Sequence, residues 1–148
     1  MRFEFKNEEF TIKQLMQFNK AGKLNLSPGF QRQSVWSVRQ QQQLVESLLL
    51  GMPVPTMFFW ARKEGKKVVY DVIDGKQRLE AVIAFLRVRQ PIAVKIDPDG
   101  DSDWGYEDVY QWTAKDVSSE AKRKWRAFEG YKVPVVLVSG TLADIEQL

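Results

Sequence analysis

In the run Val72-Ile73-Asp74-Gly75-Lys76-Gln77-Arg78-Leu79-Glu80-Ala81, a carboxylate, a glycine and two cations stand side by side. The apolar residues before Asp74 read as a strand, and those after Gly75 as the first turns of a helix. Such a turn can meet a phosphate. The glycine lets backbone N–H groups approach closely, the helix N-terminus adds partial positive charge, and Arg78 supplies a fork of donors. Asp74 beside it has the chemistry to hold a metal ion or orient a water. The plain structural alternative is an ordinary strand-to-helix turn with Asp74 as N-cap.

The absences narrow the chemistry further. The 148-residue chain has no Cys and no His. That excludes thiol nucleophiles, disulfides, Cys/His zinc sites, serine–histidine triads and histidine-dependent nucleases. Any reaction must run on Asp, Glu, Arg, Lys, hydroxyls and backbone groups, with a hard, oxygen-liganded cation such as Mg²⁺. The net charge of +3 and pI near 9.1 are compatible with a phosphate or nucleic-acid ligand without specifying one. The densest basic group, Lys122-Arg123-Lys124 with Arg126, is interleaved with Trp125 and Phe128. It reads as a solvated helix face with its aromatics turned to the core.

A composition of 44% hydrophobic and 28% charged residues is that of an ordered globular chain, and the length fits a single domain. No apolar run is long enough to span a bilayer and no leader is evident, so the expected location is cytoplasmic, with no membrane partner.

The elements that must position the turn follow from periodicity and caps. Arg2 to Lys6 alternates as a strand. Thr11 caps a helix from Ile12 to about Lys20, stopped at Ala21-Gly22. Leu24-Asn25-Leu26 is a short extended piece entering the turn Ser27-Pro28-Gly29. Ser37 and Gln40 form a capping box for a helix from Val38 to Leu50, which buries Leu44, Val45, Leu48 and Leu49 and ends at Gly51. Thr56–Ala61 and Lys67–Ile73 form a hairpin around Glu64-Gly65. The helix from Lys76 to about Arg89 turns Leu79, Val82, Ile83 and Leu86 inward. Ile92–Ile96 is a strand, followed by the acidic loop Asp97 to Asp103, which reads as solvated because it lacks EF-hand spacing. A helix from Ser118 or Ser119 through Phe128 precedes the strand Val133–Val138. Thr141 to Asp144 caps a last helix of about two turns at Leu148, which suggests a polypeptide that continues.

Three segments together carry a resemblance. They are Phe30-Gln31-Arg32 with Val35-Trp36, then Leu44 through Gly51-Met52-Pro53-Val54-Pro55, then Asp74-Gly75-Lys76-Gln77-Arg78. The chain resembles the N-terminal domain of GmrSD-type modification-dependent restriction proteins, within the ParB/sulfiredoxin-like superfamily. The family pattern is an aromatic-Gln-Arg plus Trp segment, a helix ending in Gly-x-Pro-x-Pro, and Asp-Gly-Gln-Gln-Arg. Lys76 departs from it, standing where the family has Gln. Gly75, Arg78 and Ala81 also resemble the phosphate-binding Gly-x-x-Arg-x-x-Ala signature of ParB. The cysteine that sulfiredoxin chemistry needs is missing.

The resemblance implies an α+β fold, a ParB/sulfiredoxin-like mixed sheet with helices packed around it, cut off at its C-terminus. It implies one domain over residues 1–148, the N-terminal part of a longer family domain. It also implies binding and hydrolysis of a nucleoside triphosphate with Mg²⁺, in a sensor domain of a restriction or phage-defence system beside a nuclease domain or subunit. Gly75, Lys76, Gln77 and Arg78 would then hold phosphate, with Arg32 and Gln31 reaching into the same pocket. Arg78 and Asp74 would be catalytic, and Asp74 the metal ligand. If the family's Gln orients a water, Lys76 puts hydrolysis in question and leaves binding intact. Two other readings stay open. One is a DNA-binding or modification-reading module without turnover, supported by the Gln40–Gln43 run. The other is a regulatory partner that docks on a nuclease.

Overall fold

A computed structural model describes residues 4–27, 36–86 and 125–140. The element order is β1 (Glu4–Thr11), α1 (Ile12–Lys20), β2 (Leu24–Asn25), α2 (Val38–Leu49), β3 (Met57–Glu64), β4 (Lys67–Asp74), α3 (Lys76–Leu86) and β5 (Lys132–Ser139). Residues 125–129 are also helical. Helices and a five-stranded mixed sheet make this an α+β protein, as the sequence leads one to expect.

The strand order is β1-β5-β3-β4-β2. β5 runs antiparallel to β1 and parallel to β3, the β3–β4 hairpin is antiparallel, and β2 joins β4 in parallel. With neighbours on both sides, β5 is a central strand, which accounts for its nearly continuous apolar sequence. Both strands of the hairpin are longer than the sequence indicates, because charged Lys63 and Glu64 extend β3 and Asp74 extends β4.

The chain divides into two compact units, one of residues 1–33, 55–76 and 132–148, the other of residues 34–54 and 77–131. The first holds the whole sheet and α1. Thr11 closes a capping box with Gln14 at the start of α1, and Ile12 and Leu15 are buried from its inner face. Phe10, Phe18, Tyr70 and Phe59 form a chain of ring contacts with centroids 5.3–6.1 Å apart. Such edge and tilted pairs add to the stabilisation from area burial alone.

The second unit contains α2, most of α3 and the 125–129 helix. Ser37 and Gln40 form the expected capping box, and Leu44, Val45, Leu48 and Leu49 are buried as expected. In α3 the buried stripe is rotated from the expected one. Leu79 and Val82 are buried, but Ala81 and Phe85 join them, while Ile83 and Leu86 are only half-buried. The cause is an aromatic cluster: Phe85 packs against Phe128 and Trp125 with centroids 5.5 and 6.3 Å away. Phe128 is fully buried and Arg126 exposed, in keeping with an aromatic face turned inward. Lys122 to Lys124, the Ile92–Ile96 strand, the acidic loop and the Thr141 cap lie outside the described residues.

Candidate functional site

The end of β4 is bent by a bulge. Phe59 pairs with Val72 and Phe58 with Asp74, so Ile73 is the extra residue between them. Because β-strand side chains alternate, this extra residue changes the face on which Asp74 falls. Asp71 pairs with Trp60 and Asp74 with Phe58, which places both carboxylates on one face of the hairpin. An unbulged strand would set them on opposite faces.

Gly75 then turns the chain with φ of 116°, a value L-residues rarely adopt. A Cβ there would stand 2.8 Å from Met57 Cγ and 3.0 Å from Met57 Sδ. The glycine is therefore required by close packing on a buried methionine, whatever ligand the turn serves. α3 begins at Lys76, so Gly75 immediately precedes the helix and Asp74 is one residue too early to be its N-cap. Asp74 itself is exposed.

Two cations in the first turn are buried. Lys76 and Arg78 are each only 8% exposed, and no acidic residue shares that turn. Lys76 Nζ lies 3.4 Å from Ser27 Oγ. Arg78 heads the stripe formed with Ala81, Val82 and Phe85, the i, i+3, i+4, i+7 positions of one helix face. Burial of positive charge at the positive pole of a helix is electrostatically unfavourable by itself and favourable to an anion. Gln77 has a different role: its Oε1 accepts the Trp36 N–H at 3.2 Å, tying α3 to the residue that enters α2. Gln31 and Arg32 lie outside the described residues.

A polar network that the sequence reading left out runs between β2, β3 and β4 and reaches this turn through Ser27. Asp71, 4% exposed, accepts from Asn25 Nδ2 at 3.0 Å on one oxygen and from Arg62 Nε at 2.8 Å on the other. Arg62 also donates to Glu64 at 2.9 Å. The hydrogen bond to Asp71 raises the Arg62 pKa above its ordinary value, with burial opposing and Glu64 adding a smaller contribution. Asn25 Oδ1 accepts the Ser27 N–H at 3.1 Å, and so fixes the turn that presents the Ser27 hydroxyl to Lys76. The signal for this network was a carboxylate inside the apolar run Val68 to Ile73, since a buried Asp is rare unless paired.

Residues 12–134 match the family model for the GmrSD restriction endonuclease, N-terminal domain. The chain belongs to this family. The matched span of the GmrSD N-terminal domain runs from the first residue of α1 into β5 and includes the whole β4–α3 turn. No curated protein and no solved structure matches the chain. Family membership associates the protein with a DNA-restriction system, as its resemblance implies. Among the described residues, no helix is long and apolar enough to cross a membrane, and no group of three or more His, Cys, Asp or Glu is placed to hold a metal.

Proposed function

We propose that this GmrSD N-terminal domain binds a nucleoside triphosphate at the β4–α3 turn and hydrolyses it as the sensor or energy module of its restriction system. The observation that carries this reading is the pair of buried cations, Lys76 and Arg78, in the first turn of a helix whose N-terminal charge has the same sign. A phosphate chain is the complementary ligand: in this reading the N–H groups after Gly75 and the Arg78 guanidinium donate to it. As phosphoryl transfer is catalysed mainly by positioning and electrostatic stabilisation, this donor set suits it.

Asp74 is the exposed carboxylate at the site, and Asp71 already gives one oxygen to Asn25 and the other to Arg62. One carboxylate fits a Mg²⁺ that arrives on the nucleotide, because Mg²⁺ is commonly held by one or two carboxylates plus substrate phosphates. In this reading Asp74 holds that Mg²⁺ or orients the attacking water, and the metal supplies neutralisation of phosphate charge. Lys76, in the place of the family's glutamine, gives the phosphates a point charge steadied by Ser27. Arg32 and Gln31 complete the pocket in the same proposal. A nuclease domain or subunit is the partner that such a sensor would control.

Phosphate release from ATP, GTP and CTP with Mg²⁺ tests the reading, with the wild-type chain compared with Arg78→Ala and Arg78→Lys. Turnover abolished in Arg78→Ala, with folding retained in Arg78→Lys, supports it. Turnover equal in all three proteins refutes the role of Arg78.

A further inference from the structure

Hydrogen bonds run in series from the β3–β4 hairpin to the first residue of α3. Arg62 Nε donates to Asp71 Oδ2 at 2.8 Å, and Asn25 Nδ2 donates to Asp71 Oδ1 at 3.0 Å. The Ser27 N–H donates to Asn25 Oδ1 at 3.1 Å, and Lys76 Nζ to Ser27 Oγ at 3.4 Å. The series begins at a buried carboxylate and ends at an exposed hydroxyl beside a lysine that is 8% exposed.

Asn25 is the link whose side chain must donate at one end and accept at the other. The Asp71 carboxylate, ion-paired with Arg62, presents only acceptors, so it takes the Asn25 amide nitrogen and turns the amide oxygen toward Ser27. An aspartate at this position would lack the donor and set a like charge against Asp71; an alanine would supply neither group. The sheet brings the two residues together, because β2 pairs in parallel with β4 in the register Asn25↔Asp71. β2 is only two residues long, so the side-chain bond adds a lock to a ladder of few backbone bonds.

We propose that Asn25 is a positioning residue for the phosphate site: held by Asp71, it sets the Ser27 hydroxyl, and through it the Lys76 ammonium, before an anion arrives. A lysine side chain loses considerable rotamer freedom when it is fixed, and a bond that fixes it beforehand lowers the ordering cost at binding. The proposal rests on the reading of the β4–α3 turn as a phosphate site, and Asn25 acts there through Lys76 without touching the ligand.

The test has one arm without nucleotide and one with it. In the first, the full chain is treated with acetic anhydride and modification of each lysine is followed by peptide mass spectrometry, with exposed Lys132 as the internal reference. Asn25→Ala, Asn25→Asp and Ser27→Ala each raise Lys76 modification relative to Lys132 by about fivefold, the worth of one ordinary hydrogen bond. Ser27→Thr keeps the hydroxyl and holds Lys76 at the wild-type rate. In the second arm, Mg²⁺-loaded ATP, GTP and CTP are titrated into the same proteins. Asn25→Ala weakens binding by about fivefold when Lys76 is present and has no effect in a Lys76→Gln background, whereas a merely structural residue would weaken both alike. Equal Lys76 modification in wild type, Asn25→Ala and Ser27→Ala overturns the proposal. So does an Asn25→Asp protein that matches wild type, or equal weakening by Asn25→Ala in both backgrounds. A wild-type chain that binds none of the nucleotides refutes the phosphate reading, and the modification arm then decides by itself whether Asn25 places Lys76.

Discussion

Replacing Gly75 by alanine tests whether the turn is fixed by packing independently of any ligand. Two costs are readable from the structure. The backbone at φ of 116° disfavours any side chain, a cost of about 1–2 kcal/mol for a left-handed conformation. The new methyl would also stand 2.8 Å from Met57 Cγ, 3.0 Å from Sδ and 3.1 Å from Cβ, and Met57 is 3% exposed with little room to retreat. Overpacking of that kind costs about 1–3 kcal/mol. The expected destabilisation is therefore about 2–5 kcal/mol, a large part of the roughly 5–15 kcal/mol that holds a domain folded. Urea unfolding followed by circular dichroism reads it as a lowered midpoint at constant slope. In a Met57→Ala background the clash with Cγ and Sδ is gone, so Gly75→Ala costs about 1–2 kcal/mol less there, a coupling that a double-mutant cycle resolves. A Gly75→Ala protein within about 0.5 kcal/mol of wild type would refute the reasoning. An equal cost in both backgrounds would refute the part that rests on Met57.

Three further outcomes follow from the same contacts. Asp71→Ala leaves Arg62 and Asn25 without their buried acceptor and should cost about 2–4 kcal/mol in urea unfolding, whereas Glu64→Ala removes an exposed pair and should cost less than about 1 kcal/mol. Thr11→Ala and Ser37→Ala each remove a capping-box acceptor and should each cost about 1 kcal/mol, measured as a fall in the thermal midpoint. Phe128→Ala opens a cavity beside Phe85 and Trp125 and should cost about 3–5 kcal/mol by the same measurement.

Much of this architecture is legible in the sequence because local signals decide it. Thr11 with Gln14 and Ser37 with Gln40 announce their helices through hydrogen bonds made within one turn. The apolar run Val133 to Val138 announces a central strand. The α3 stripe is less legible, because Phe85 is drawn inward by Phe128 and Trp125 from some 40 residues along the chain. At the candidate site the sequence identifies Asp74, Gly75, Lys76 and Arg78 as neighbours but not the bulge at Ile73 that sets Asp74 on the face of Asp71. The Asn25–Asp71–Arg62 network depends on the pairing of β2 with β4, and nothing local in Leu24-Asn25 specifies that pairing.

The central claim is that buried Lys76 and Arg78 mark a phosphate-binding turn in this GmrSD N-terminal domain. Isothermal titration of the folded chain with Mg²⁺-loaded ATP, GTP and CTP tests it most directly, with Arg78→Lys and Arg78→Ala as partners. The account predicts saturable binding of at least one nucleotide, weakened at least about tenfold in Arg78→Ala, the loss expected for one charge-assisted hydrogen-bond pair. A folded wild-type chain that binds none of the three, or an Arg78→Ala protein that binds as tightly as wild type, would contradict it.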